Sequence, residues 1–346
     1  MNLILNVNQN FANFLDESRR DIWRYAKILS DSKIVNFVDP LQKDFTKIER
    51  IGDFWVKRED ESAVGSHKFR ALAFQISQLL EAKIDRAVLS SSGNAAIAAS
   101  QILPENTNLK LFVFLSKKTP PAKLAGLKFS KNLVPILSER PLRMAKYAAK
   151  HFDLRDLRPS VDPNAAVGFC SLGFEIFEQK PAIENIFSFA TSFASVRGIA
   201  EAFKFLVKIG ARQKMPKIFA VTSSGRLAGE LSRQRVDTSR QAKVVQWTEV
   251  DTSGQRVAKS AEASAKAEQL VNISDAEILA TRQKLPELKT SNEGLASLAA
   301  ATKIKPQGET LVILTGRAWP DKNVDLDKFE EADNFAEADK MVARHG

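Results

Sequence analysis

Short apolar runs alternate with longer stretches in which apolar residues recur at helical spacing, from about residue 54 to residue 314. The runs at 54–56, 86–90, 109–115, 134–137, 185–190, 217–221 and 311–314 are bounded by polar or turn-forming residues and predict strands. Between the first two, Leu72, Phe74, Ile76, Leu79 and Leu80 mark one helix. Residues 95–100, the segment after Pro120 and Pro121, and residues 140–150, 167–179, 196–208 and 293–301 predict others. Ser274 followed by Glu277 predicts a capped helix start. This alternation predicts an α/β fold with parallel sheets covered on both faces.

The remaining segments organise the chain into domains. Residues 1–50 read as an N-terminal arm with a short amphipathic piece from Asp21 and a turn at Asp39-Pro40-Leu41. Residues 51–84 and 166–325 predict a larger, discontinuous domain. Residues 85–165 predict a smaller inserted one, with the polar, proline-marked stretch 158–163 as the crossing. Residues 326–346 read as a C-terminal tail, with an acidic surface helix over 325–339. Residues 255–269, rich in Ala, Lys, Ser and Glu, read as a solvated helix or mobile segment. Ser-Ser-Gly follows a predicted strand twice, at 91–93 and at 223–225.

Composition narrows the class. The chain has 346 residues, 44% of them hydrophobic, enough to build a large core and unlike a disordered chain. A single cysteine, Cys170, excludes an internal disulfide framework, and His67, His151 and His345 share no metal-ligand spacing. The net charge of +10 comes from scattered residues, which fits steering of an anionic small substrate and not a nucleic-acid groove. The first ten residues lack the form of a secretory leader, and no apolar run has the length of a membrane span. The expectation is a soluble, cytoplasmic protein with no membrane or nucleic-acid partner.

Two stretches carry candidate chemistry. Lys68, in Gly65-Ser66-His67-Lys68, falls in the first turn of a helix, where the backbone dipole disfavours a cation. Such a lysine is either an ordinary surface residue or an amine kept neutral by burial for nucleophilic work. Ser91, Ser92, Gly93 and Asn94 lie where a strand meets a helix N-terminus. That arrangement either caps the helix or offers N–H groups to a carboxylate or phosphate.

In order along the chain, these two stretches, Lys57-Arg58-Glu59-Asp60, the helix containing Gly168 and Glu175, Asn292-Glu293-Gly294 and Thr315-Gly316 resemble the tryptophan-synthase-β-like (fold type II) family of pyridoxal-phosphate enzymes. The resemblance spans roughly residues 20–320. It implies two parallel-sheet, three-layer domains with the cofactor, pyridoxal 5'-phosphate, in the cleft between them. It implies that Lys68 is catalytic and carries the cofactor covalently, that Asn94 lies against the cofactor ring hydroxyl and that Thr315 faces its ring nitrogen. The cofactor phosphate falls to Thr191, Ser192, Phe193, Ala194 and Ser195, and the substrate carboxylate to Ser91, Ser92, Gly93 and Ala95. Homodimers are common in the family.

Ile22-Trp23-Arg24-Tyr25, Leu314-Thr315-Gly316-Arg317 and residues 216–221 are similar to the threonine synthase branch. That branch implies conversion of O-phosphohomoserine and water to threonine and phosphate, with Arg70, Lys117 and Arg197 as candidates to meet the leaving phosphate. A serine/threonine dehydratase, a β-replacement enzyme, or a non-catalytic descendant with an impaired phosphate loop are the alternatives. The sequence departs from the family at the phosphate loop, where no glycine occurs between Asn185 and Arg197. His67 also stands where another aromatic is more common, and Phe69 where an acidic residue is usual.

Overall fold

The computed structural model describes residues 9–30, 37–91, 93–223, 244–246, 259–261 and 268–345. Its strands are Ile48–Ile51 (β1), Phe54–Lys57 (β2), Arg86–Ser91 (β3), Lys110–Ser116 (β4), Leu133–Ser138 (β5), Arg155–Asp156 (β6), Asn185–Phe189 (β7), Lys217–Thr222 (β8), Val244–Gln246 (β9), Lys259–Ala261 (β10), Glu268–Asn272 (β11), Thr310–Ile313 (β12) and Glu330–Glu331 (β13). The helices are Gln9–Ala12 (α1), Ala26–Leu29 (α2), Lys68–Glu81 (α3), Asn94–Ile102 (α4), Pro121–Leu124 (α5), Pro141–His151 (α6), Asn164–Gln179 (α7), Ala194–Lys208 (α8), Asp275–Lys284 (α9), Asn292–Ile304 (α10) and Phe335–His345 (α11). Among the described residues no helix is long and apolar enough to cross a membrane.

Two main sheets organise these elements. The larger runs β1-β2-β12-β7-β8-β11 and the smaller β13-β5-β4-β3-β6; β9 and β10 form a separate antiparallel ribbon. Every neighbouring pair in the two main sheets is parallel except the β1–β2 hairpin. Successive residues of a strand point to opposite faces. In β3, Ala87 and Leu89 therefore enter the central core while Val88 enters a second core with Phe112, Ile136 and Met144. In β7 and β8, Ile186 and Ile218 face the central core, and Phe187 and Phe219 face α10, their rings stacked at 4.2 Å. The central strands of each sheet are thus buried on both faces, which is why they read as mainly apolar runs. The central core holds residues of both sheets, so it joins them.

The terminal segments differ from the sequence expectation. The described part of the arm packs on the body, with Phe11, Trp23 and Tyr25 fully buried. Arg24 Nη2 contacts Glu178 of α7 at 2.8 Å, and Tyr25 donates its hydroxyl hydrogen to the same carboxylate at 2.5 Å. The expected helix over 325–339 is instead a 3-10 turn, Leu326–Lys328, followed by β13 and then α11. β13 pairs with β5 and extends the smaller sheet, and Met341 and Val342 of α11 enter its outer core. Within 255–269 the described residues 259–261 and 268–269 are strand, not helix, and the others lie outside the described residues. The second Ser-Ser-Gly also falls outside them beyond Ser223.

A buried charge cluster fastens α3 to α7. Lys57 Nζ lies 2.6 Å from Glu175, and Arg70 bridges Glu175 and Glu59, both at 2.8 Å. Thr46 closes the group: its backbone N–H donates to Glu175 and its hydroxyl to Glu59. Burial disfavours the Arg70 charge, but Glu175 and Glu59 outweigh it and hold the guanidinium above its ordinary value. Gly168 makes the approach of the two helices possible, since a Cβ there would stand 2.4 Å from the Arg70 carbonyl oxygen.

Candidate active site

The parallel strands aim their carboxyl ends at one region, where α/β sheets collect ligands. Thr315 follows the end of β12, Ser91 ends β3, and Thr191 follows β7. Lys68 opens α3 in the same region. The backbone explains how it gets there. Ser66 forms an antiparallel bridge with Gly316, the His67 N–H donates to the Thr315 carbonyl at 3.0 Å, and the Arg317 N–H donates to the Gly65 carbonyl at 2.9 Å. The start of α3 is thereby stitched to the chain leaving β12.

Lys68 keeps part of its side chain accessible, yet protein surrounds its amine. Nζ lies 3.3 Å from His67 Nε2 and 5.6 Å from the centre of the Phe169 ring. Burial pulls the amine from 10.5 down to about 8, opposed by the Glu293 carboxylate at the start of α10. His67 is 4% exposed, its Nδ1 lies 2.7 Å from the Thr315 carbonyl oxygen, and its ring stacks on Phe169. Burial, reinforced by the neighbouring Lys68 charge, holds that imidazole well below its ordinary value, so it is neutral.

Asn94 approaches from the smaller sheet. A Cβ on Gly316 would come 2.8 Å from Asn94 Nδ2, and Trp319 Nε1 donates to Asn94 Oδ1 at 3.0 Å. Lys68, His67, Thr315, Gly316 and Asn94 are thus linked by direct contacts across the joint of the two sheets. The turn before Asn94 is held by Ser91, whose Oγ accepts the N–H groups of Gly93 and Ala96, both at 3.1 Å. Ala95 is half-buried behind it, and Ser92 lies outside the described residues. Gly93 has φ +130°, and a Cβ there would meet the Lys123 side chain at 2.5 Å. Gly93→Ala is expected to destabilise the fold by about 1–3 kcal/mol, because alanine is strained at this φ and Lys123 must move. Urea denaturation checks the stability, and a KM increase exceeding any kcat loss checks that the turn serves the substrate.

The loop 191–195 reaches the same region through Phe169, since Ala194 shares an apolar cluster with Phe169 and Ala71. The missing glycine is replaced in an unexpected way. Phe193 itself adopts the left-handed conformation, φ +59° and ψ −2°, as the residue before α8. That conformation costs about 1–3 kcal/mol for a bulky residue, and its half-buried ring packs against the central core in return. Ser195 is buried, Ser192 half-buried and Thr191 exposed. The first turn of α8, beginning at Ala194, follows this loop directly.

The three cations expected near a leaving group do not act alike. Arg70 is committed to Glu59 and Glu175, and Lys117 to Glu331 and Asp333, each at 2.7 Å. Arg197 reaches back to the Ser192 carbonyl at 3.5 Å. Sequence reading missed Lys123, whose stem covers Gly93. The available signal was the proline-led turn Pro120-Pro121-Ala122-Lys123, which has no acid in it to pair with the lysine.

A family model described as pyridoxal-phosphate dependent enzyme matches residues 40–316. A threonine dehydratase of Nicotiana attenuata is 23% identical over 190 residues, covering 53% of this chain and 32% of that protein. Threonine dehydratase 1 biosynthetic, chloroplastic, of Solanum lycopersicum is 26% identical over 189 residues, covering 53% and 31%. The match therefore spans about a third of the length of these curated relatives. The structure of maize serine racemase superposes with a TM-score of 0.62 at 17% identity, over 94% of this chain and 98% of that one, a likeness of fold. With the family model covering Lys68 and every strand of the two main sheets except β13, the chain belongs to the pyridoxal-phosphate-dependent enzyme family, and its cofactor is pyridoxal 5'-phosphate.

Proposed function

We propose that this chain is a lyase that removes the β-hydroxyl of a small amino acid such as threonine or serine, releasing a 2-oxo acid and ammonia. The observation that carries the reading is the Lys68 amine: enclosed, depressed to about 8, and set where both sheets meet. The residues present fit the cofactor. Ser66, two positions before Lys68, carries a buried hydroxyl with no described hydrogen-bond partner, and Ala194 at the start of α8 packs with Phe169, which lies beside the Lys68 amine. Lys68 would hold the cofactor covalently, with Asn94 and Thr315 at its ring and the residues 191–195 at its phosphate. Bound there, the cofactor supplies an electron sink for bond cleavage at the substrate's Cα.

The rest of the chemistry falls to the chain. The N–H groups at the start of α4 that Ser91 does not take, those of Asn94 and Ala95, would hold the substrate carboxylate, with Ser91 fixing the Gly93 turn beside them. A larger fraction of an amine with a lowered pKa is unprotonated at neutral pH than of an ordinary lysine, so Lys68 would take the Cα proton and return one to the departing hydroxyl. Net, the substrate loses one water, takes up one water and releases ammonia.

The dehydratase relatives support this over the threonine-synthase reading. So does the fate of the synthase-like features. Arg24 and Tyr25 are spent on Glu178 of α7, Trp23 packs on Phe37 and Phe74 and donates to the Val38 carbonyl, and Arg70 and Lys117 are paired with carboxylates. With the cofactor added, the protein is expected to form 2-oxobutanoate and ammonia from threonine. Phosphate release from O-phosphohomoserine without 2-oxo acid from threonine or serine would select the synthase instead. Thioether or cysteine formation from an activated serine would select a β-replacement enzyme.

A further inference from the structure

We propose that His67 is the hydrogen-bond acceptor on which the Lys68 amine is held, in a ring tautomer imposed by the Thr315 carbonyl. A carbonyl oxygen only accepts, so its 2.7 Å contact with His67 Nδ1 places a hydrogen on Nδ1. A neutral ring then keeps its lone pair on Nε2, and Nε2 is the atom 3.3 Å from Lys68 Nζ. The same Thr315 oxygen accepts the His67 backbone N–H, so residue 67 is fastened twice to one atom. Phe169 stacks on one face of the ring and also lies beside the Lys68 amine.

The surrounding charges keep this polarity in place. Lys68 and Arg70 are the cations that face the ring, and with burial they oppose its protonation. On the lysine side, Glu293 of α10 is the facing carboxylate and His67 the facing acceptor. A neutral acceptor binds an ammonium better than an amine. His67 thus favours the proton-bearing state of Lys68 and fixes the direction of Nζ without adding a negative charge. The residue is a positioning residue for Lys68. Its importance for turnover rests on the function proposed above, but its tautomer and the titration of Lys68 do not.

Both can be read on the full, cofactor-free chain, where the Lys68 amine is free, without a turnover assay. Long-range proton–nitrogen NMR of its three histidines, assigned with His151→Gln and His345→Gln, is expected to show His67 neutral with hydrogen on Nδ1 from about pH 6 to about pH 9. Hydrogen on Nε2, or an imidazolium in that range, overturns the proposal. Lys68 is then titrated by carbon-13 reductive methylation. His67→Phe is expected to lower its midpoint by about half a pH unit or more. His67→Gln, whose amide oxygen reaches the place of Nε2, should restore most of that loss. His67→Asn, which reaches only the place of Nδ1, should not. Equal midpoints in all four proteins, or rescue by asparagine as good as by glutamine, overturn it. Should the phenylalanine variant not fold, the tautomer in the unaltered chain decides.

Discussion

Lys68→Ala abolishes turnover, with a loss of at least 10²–10⁴-fold from the acid–base role alone, about the range such groups contribute. The covalent anchor goes with it: after borohydride reduction, a pyridoxyl label should map to Lys68 in the parent protein and to no residue in the variant. A label on another lysine, or unchanged turnover, would sink the site assignment. A companion substitution separates function from stability. Burial lowers the folded amine to about 8 from 10.5, so the folded state bears a charge it would rather lose. Below about pH 8 both states are protonated and this penalty is fully present. It shrinks between pH 8 and 10.5, where only the unfolded amine stays protonated, and vanishes above. Lys68→Met should therefore raise the Tm of cofactor-free protein at neutral pH, with the gain fading as pH rises towards 10.5. A surface lysine would show neither effect.

The second large effect lies in the charge cluster between α3 and α7. Glu175 is 2% exposed and contacts both Lys57 and Arg70, which are 0% and 1% exposed. Glu175→Gln keeps the shape but leaves two buried cations facing Glu59 alone. Breaking a buried pair in this way costs about 3–5 kcal/mol, because an uncompensated charge remains. The loss should appear as a lower urea midpoint with little change in slope. Lys57→Met combined with Glu175→Gln should recover part of it, since one cation leaves with the carboxylate and Arg70 still faces Glu59. A loss below about 1 kcal/mol would mean that water reaches the cluster. Arg70 lies two positions after Lys68, so some loss of turnover is expected to accompany the loss of stability.

Much of the fold was legible because each core strand is buried on two faces. Residues 111–115 have no solvent side and read as an unbroken apolar run, and 185–189 read as one interrupted only by Ser188 after Asn185. The edges were not legible. β1 is Ile-Glu-Arg-Ile and β13 is Glu-Glu, and neither carries a strand pattern. They are strands because a neighbour offers them a ladder. The site was legible where its chemistry is local, as at Lys68 and at the Gly93 turn. It was not legible where it depends on distant partners. Lys117 looks free until Glu331 and Asp333 arrive from over 200 positions away. Lys123 meets Gly93 only in space. Phe193 shows a further limit: the loop needs one left-handed residue, and packing persuades a phenylalanine to supply it.

The pairing of β13 with β5 bears on how the chain is made. Ile136 and Leu137 wait for Glu330 and Glu331, and the Glu139 N–H waits for Asp333. Until those residues leave the ribosome, β5 presents an open edge, and Met341 and Val342 are missing from the core behind it. The smaller sheet therefore closes only after residues 330–342 have emerged, although β3, β4, β5 and β6 all precede residue 160. Its exposed strand is the place where a chaperone would bind, or where two unfinished chains would join.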